Sequence, residues 1–347
     1  MIRLPYFRYR APRTLGEAAQ ILAGEGPDAM LIAGGTDLLP NMKRRQQVPK
    51  TLVALRHVDE LGRARNASGL GLGAGLTLTD LVRHATVREQ YVGLWQAAAQ
   101  VATPHLRNMG TLGGNLCLDT RCTYYDQTRE WRRAIGFCMK KDGETCWVAP
   151  SSARCLAVSS TDTAPALTAL GASVRLVSAS GERDVALEEL YVNDGMDYIT
   201  RRPDEILAEV RLEPADGWKS TYWKLRRRGS FDFPVLSVAA AARLAGDGSV
   251  ERARIVLGAV ASRPLLCADA SALVEGKTLS DDVIADAAAR AAKIAKPMDN
   301  TDFTLHWRKR VAAEFVTRAL RELRGDDMRA ERVRIARQDI TSAGFLG

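Results

Sequence analysis

Five of the six cysteines lie within residues 117–155, at Cys117, Cys122, Cys138, Cys146 and Cys155. The stretch that holds them, from Gly110 to about Ser160, mixes cysteines, aromatics and charges without a sustained helical or strand period. Such a segment cannot bury a hydrophobic face of its own, so something other than an apolar core must organise it. No apolar h-region stands at the N-terminus, and no run approaches the roughly 18 apolar residues of a membrane span. A cytoplasmic location is therefore expected, where thiols stay reduced and clustered cysteines bind metal or do redox work.

The gaps between successive cysteines are 4, 15, 7 and 8 residues. Neither the paired C-x₂₋₄-C of zinc ribbons nor the C-x₂-C-x₂-C of bacterial ferredoxins is present. Soft thiolates without a histidine among them suit zinc or an iron–sulfur cluster, and the spacing leaves both open. Cys117, in the apolar Leu116-Cys117-Leu118, and Cys267, beside Leu265-Leu266, read as packing residues. The remaining four are the number a four-iron cluster takes.

Two glycine turns flank different parts of the chain. Leu31-Ile32-Ala33-Gly34-Gly35-Thr36-Asp37 is a buried strand running into a turn without bulky side chains. Thr111-Leu112-Gly113-Gly114-Asn115 offers a second. Glycines let backbone N–H groups converge on an anion, so two such turns could cradle the two phosphates of a dinucleotide. Neither is the G-x-G-x-x-G fingerprint or a Walker loop, and either could be only a turn.

Around these landmarks the pattern predicts three parts. Residues 1–57 read as a β-α-β unit, with a capping box at Thr14-Leu15-Gly16-Glu17 and strands at 29–33 and 51–55. Residues 58–218 form a second part that carries the cysteine insertion at about 117–158. It has helices at 77–84 and 87–101, a hairpin over 173–187 and a strand at 207–212. Residues 219–325 form an α+β domain, with a hairpin over 235–260 and helices from Ser280 to before Pro297 and from Thr304 to Leu323. Residues 326–347 are charged and weakly patterned, and are expected to be a surface tail or an arm onto a partner.

The net charge of +8 raises the question of nucleic acid. Basic and acidic residues are mixed along the chain, the runs Lys43-Arg44-Arg45 and Arg226-Arg227-Arg228 are short, and aromatic–basic interleaving is missing, so no nucleic-acid partner is expected.

Taken together, four segments resemble the flavin-binding medium subunit of the molybdenum hydroxylase (xanthine dehydrogenase) family. They are Ala33 to Leu38, Arg107 to Asn115, Ser160 to Leu167 and Lys224 to Pro234, in the family's order. The insertion resembles one branch of it, the 4-hydroxybenzoyl-CoA reductases, at Gly113 to Cys117 and Asp119 to Thr123 and again at Cys138, Cys146 and Cys155.

The resemblance implies a fold: an α+β, two-part FAD-binding domain of the PCMH/vanillyl-alcohol-oxidase type with a [4Fe–4S] insertion, followed by a C-terminal domain of antiparallel sheet and helices. It implies FAD contacts at Leu31, Ile32, Ala33, Gly34, Gly35, Thr36, Asp37, Thr111, Gly114, Asn115, Asp162, Leu207 and Lys224. It makes Cys122, Cys138, Cys146 and Cys155 the ligands of the [4Fe–4S] cluster. Without it, Asp162 reads equally as a helix N-cap and Lys224 as a solvated strand-edge charge.

Implied partners are a large molybdenum-cofactor subunit and a small subunit with two [2Fe–2S] clusters, in a dimer of heterotrimers. Ferredoxin would be the donor for reductive dehydroxylation of 4-hydroxybenzoyl-CoA. The alternatives are a hydroxylase subunit with outward electron flow and a non-redox zinc module. No catalytic acid or base is expected on this chain.

Overall fold

The computed structural model describes residues 3–337. Three sheets with helices packed on them give an α+β architecture. The first sheet is parallel, order β1-β3-β2, from β1 (Arg8–Arg10), β2 (Ala29–Ile32) and β3 (Thr51–Ala54). Helix Leu15–Glu25 begins where the Thr14 side chain accepts the Glu17 N–H at 3.1 Å, and it buries Ala18, Ala19 and Leu22. Strand β1 escapes prediction because Arg8, Tyr9 and Arg10 are all exposed.

The second sheet is antiparallel, order β4-β5-β8-β6-β7. Its strands are β4 (Ala64–Ala67), β5 (Gly69–Gly73), β6 (Ser173–Ser178), β7 (Gly181–Ala186) and β8 (Ile206–Leu212). The expected hairpin is β6-β7. The single helix expected over 87–101 is instead two, Ala85–Gln90 and Val92–Ala99, broken at Tyr91 (φ −116°, ψ 55°). That break lets the buried Tyr91 hydroxyl donate to Glu213 O at 2.7 Å, a tertiary bond that overrides helix propensity.

The third sheet, order β12-β11-β10-β9, is antiparallel and comprises β9 (Trp218–Leu225), β10 (Leu236–Leu244), β11 (Val250–Gly258) and β12 (Leu265–Leu266). Helices Asp281–Ile294 and Leu305–Arg324 cover it, capped by Ser280 and Thr304, and share a core with Leu236, Val238, Ile255, Leu257, Val316 and Leu320. Each such side chain contributes about 1.5–3 kcal/mol when fully buried. Arg308, also fully buried, donates to Val235 O, Met298 O and Ala259 O at 3.0, 3.0 and 2.7 Å, tying three segments together.

The beginning of the expected tail is packed. Helix Arg329–Arg337 follows the buried Met328, and Arg332 lies 4.1 Å over the Trp223 ring and bonds Glu322 and Thr221. The rest of the tail, 338–347, lies outside the described residues. Among the described residues no helix is long and apolar enough to cross a membrane.

Candidate functional site

A cleft of about 1360 Å³ opens between the first two sheets and reaches the loop after β9. Leu31, Ile32, Ala33, Gly34, Gly35, Thr36 and Asp37 all line it, as do Thr111, Gly114, Asn115, Asp162 and Leu207. The two glycine turns behave differently. In the first, a Cβ on Gly34 would collide with the Met109 carbonyl, and Gly35 has φ +70°. Glycine is required at both positions for backbone reasons. The N–H groups of Gly34, Gly35, Thr36 and Asp37 have no hydrogen-bond partner among the described residues, so they are free to meet an anion in the cleft.

The second turn is a short helix, Leu112–Leu116, rather than an open cradle. Its N–H groups are consumed within the fold: Leu112 N by Leu76 O, Gly113 N by Ala74 O, Gly114 N by Thr111 Oγ1 and Asn115 N by Thr111 O. What it offers the cleft is side-chain chemistry. Asn115 Oδ1 accepts from Thr161 Oγ1 at 2.8 Å and from Thr163 N and Oγ1 at 3.1 and 2.6 Å. That fixes the amide and leaves its NH₂ group as the remaining donor.

Asp162 is buried at the cleft wall. It precedes helix Thr163–Ala169 without capping it by a side-chain bond. Its oxygens accept instead from Tyr222 Oη at 2.6 Å and Lys224 Nζ at 3.0 Å. Burial raises the Asp162 pKa, against the pull of Lys224, and lowers that of Lys224, against the pull of Asp162. Lys224 stands behind Asp162 and does not line the cleft. It is neither a solvated edge charge nor a cleft group, since its Nζ is buried and also donates to Gln100 O at 3.0 Å.

The insertion has one helix, Arg129–Ala134, and its ends are joined by the Arg121–Val158 bridge. Cys122, Cys138, Cys146 and Cys155 are buried and line one small cavity with Tyr124, Tyr125, Lys140 and Trp147. Cys117 lines the large cleft instead, and Cys267 belongs to the core of the third sheet. Burial pushes two of these thiols up, Cys122 to about 12 and Cys155 to about 11, so uncoordinated those two are neutral.

A cluster would deprotonate these thiols and use them as thiolates. The Ala157 N–H already points at Cys155 Sγ, at 3.5 Å. The cavity measures about 10 Å³, so a cluster would enter by spreading the thiols rather than by filling a ready void. Among the described residues no three His, Cys, Asp or Glu side chains are arranged to hold a single metal ion. Four cysteines are a donor set that an iron–sulfur cluster would take, and their thiolates would be its ligands.

Residues not expected as cofactor contacts join the two cavities. Lys140 walls the cysteine cavity and pairs with Asp119, which walls the cleft, at 2.8 Å. Arg121 pairs with Asp37 and with Asp126 and lies 4.8 Å over Phe233. Phe231 and Phe233, both exposed, line the cleft mouth. Asp119 and Arg121 lie in the Asp119–Thr123 segment and Phe231 and Phe233 in the Lys224–Pro234 segment, both of which carry the resemblance, but the sequence assigned none of the four a role; Lys140 gave no signal beyond lying in the insertion.

A strand–turn that frees four N–H groups beside a long cleft, followed by an antiparallel domain, suits a protein that binds an anionic ligand such as a dinucleotide. Residues 5–214 match the family described as FAD binding domain in molybdopterin dehydrogenase, and residues 220–323 match CO dehydrogenase flavoprotein C-terminal domain. The aldehyde oxidoreductase FAD-binding subunit PaoB of Escherichia coli (strain K12) is 33% identical, over 90% of this chain and 98% of that protein. The carbon monoxide dehydrogenase medium chain of Hydrogenophaga pseudoflava is 28% identical, over 91% and 96%.

Among solved structures, carbon monoxide dehydrogenase from H. pseudoflava superposes with TM-score 0.76 at 28% identity, covering 92% of this chain and 97% of that one. Quinoline 2-oxidoreductase from Pseudomonas putida 86 gives 0.74 at 27%, covering 93% and 98%. The chain belongs to the FAD-binding medium subunits of the molybdenum hydroxylase family. Membership in a flavoprotein family removes the reading of the chain as a non-redox module.

Proposed function

We propose that this chain is the flavin and iron–sulfur electron-transfer subunit of a molybdenum enzyme, with FAD in the cleft and a [4Fe–4S] cluster at Cys122, Cys138, Cys146 and Cys155. The supporting observation is that four buried thiols from one segment converge on a cavity whose wall, through Lys140 and Asp119, is also the wall of the cleft. When bound, the flavin links two-electron to one-electron transfer and the cluster carries single electrons.

The chain's own residues bind and orient. The N–H groups of Gly34 to Asp37 take the pyrophosphate, and the Asn115 amide donates to the flavin. Leu31, Ile32, Ala33 and Leu207 supply apolar walls, and Thr111 holds the turn of Gly114 in place. Asp162, oriented by Tyr222 and Lys224, faces the flavin's hydroxyl-bearing chain. The substrate site lies on a large molybdenum subunit, reached through a small subunit with two [2Fe–2S] clusters, in a cytoplasmic dimer of heterotrimers.

The cysteine insertion supports inward flow, from reduced ferredoxin through [4Fe–4S] and FAD to molybdenum, for reductive dehydroxylation of 4-hydroxybenzoyl-CoA to benzoyl-CoA. A second reading, outward flow from an oxidised substrate, is favoured by the 33% identity to an aldehyde oxidoreductase subunit.

The anaerobically purified complex separates these readings. The relay requires one FAD and about eight iron per heterotrimer, four beyond the two [2Fe–2S] clusters of the small subunit. About four iron would sink the cluster. Turnover of 4-hydroxybenzoyl-CoA with reduced ferredoxin supports inward flow; bleaching of the flavin by aldehydes, with no reaction of the thioester, supports outward flow.

A further inference from the structure

Lys140 and Asp119 form a buried ion pair in the wall between the two cavities, each side chain 6% exposed. Lys140 Nζ donates to Asp119 Oδ1 and Thr120 Oγ1, both at 2.8 Å, and to Gly195 O at 2.6 Å, so all three of its protons are engaged. It sits 4.9 Å from the Tyr125 ring centre and 5.4 Å from that of Tyr198. The other oxygen of Asp119 accepts from Tyr125 Oη at 3.1 Å and Gln47 Nε2 at 3.3 Å. Lys140 and Tyr125 face the four thiols; Asp119 and Tyr198 face the cleft.

Stability alone does not call for charges here. A buried ion pair can often be replaced by apolar residues of similar volume without loss, because desolvation offsets the attraction. The pair is also polarised: its cation lies toward the thiols and its anion toward the cleft. Reducing a cluster adds one negative charge to it, and a cation held nearby in a low-dielectric wall favours that state.

We propose that the Lys140–Asp119 pair sets the reduction potential of the four-iron cluster, Lys140 favouring its reduced state and Asp119 opposing it. This rests on the cluster reading above. Through Tyr125 and Thr120 the same pair fixes the wall that both cavities share, so it acts as a positioning element rather than a reacting one.

The test is an EPR-monitored redox titration of the whole complex carrying K140M, K140R, D119N or K140M/D119N, with iron and FAD content as checks on assembly. K140M should move the four-iron midpoint to more negative potential and D119N to more positive. K140R and the charge-balanced double variant should stay close to the wild type. Midpoints unchanged in K140M and D119N, or shifted in the same direction, overturn the inference while leaving the cluster standing. Should K140M fail to assemble its cluster, D119N and the double variant decide by the same criteria. A wild-type complex without a four-iron signal overturns both readings.

Discussion

Replacing Gly34 with alanine should open the flavin cleft at its hinge. A Cβ at Gly34 would lie 2.5 Å from Met109 C and 3.0 Å from Gly110 N, and closer still to Met109 O. Carbon atoms pack best at about 3.5–4.0 Å, so the two loops must part by about 1 Å. The Met109 side cannot give way easily. Met109 N and Gly110 N both donate to Leu106 O, at 3.1 and 2.7 Å, and Gly110 O accepts from Leu78 N at 2.8 Å.

Forced overpacking of this kind costs about 1–3 kcal/mol. In a unit of the size matched by residues 5–214 that corresponds to about 2–4 °C of melting temperature per kcal/mol. Because Gly34 also carries one of the free N–H groups, FAD occupancy should fall together with stability. Thermal unfolding and flavin absorbance on G34A and G114A check this. At Gly114 an added Cβ would meet only the Thr111 Oγ1 side-chain atom, at 3.1 Å, so G114A should cost less stability than G34A. A G34A protein with wild-type melting and full FAD would refute the reasoning.

Cys146→Ser should remove about four iron while retaining FAD, measured by iron and flavin analysis, because Cys146 lines the cysteine cavity and not the cleft. Lys224→Met should destabilise by about 3–5 kcal/mol, since it strands buried Asp162, whereas K224M/D162N should cost less than the two single changes summed; denaturant melts measure both. Glu205 predicts a pH dependence. Burial works to raise its pKa, but Arg183 at 2.6 and 2.9 Å and Arg202 N at 2.7 Å outweigh this and hold it below the usual value. Between the two values the unfolded chain binds more protons, so this stabilisation is present above the unfolded carboxylate range of about 4.3 and is lost as pH falls through the lower folded value. Melting temperature against pH should therefore decline less steeply below that range in E205Q than in the wild type.

Much of this fold is legible in short patterns. The alternation in β8 and the hairpins β6-β7 and β10-β11 follow from local period and turn residues. Ser280 and Thr304 mark helix starts that the structure keeps, with their side chains accepting the Val283 and Trp307 N–H groups. What the pattern misses is set by distant partners. Tyr91 breaks a helix for a bond to Glu213, 122 residues away. The second glycine turn looks like the first in sequence, yet its N–H groups are taken by Leu76 O, Ala74 O and Thr111, acceptors that only the assembled fold supplies. Lys224 sits on the edge strand β9, where exposure is the ordinary expectation, and is buried because Asp162 and Gln100 O come from the neighbouring part.

The insertion shows how a segment without a core of its own keeps its place. Its apolar cluster is small, centred on Cys122, Tyr125, Cys138, Cys155 and Ala157. Its anchors are polar and reach every other part of the chain. Gln46 donates to Tyr125 O at 2.6 Å, and Arg132, fully buried, donates to Arg44 O and Arg45 O at 3.0 and 3.2 Å. Asn300 donates to Leu156 O at 2.6 Å and accepts from Thr123 N at 3.0 Å, and Ser159 N donates to Ala261 O at 3.0 Å. Buried backbone carbonyls left without such donors would cost about 1–3 kcal/mol each, so these bonds resist release. The frame around the cysteines is therefore set by residues 44–46, 261 and 300, independently of the thiols. Coordination of the proposed cluster would then have to spread only the thiols inside a fixed outline, leaving the Lys140–Asp119 pair in the wall it shares with the cleft.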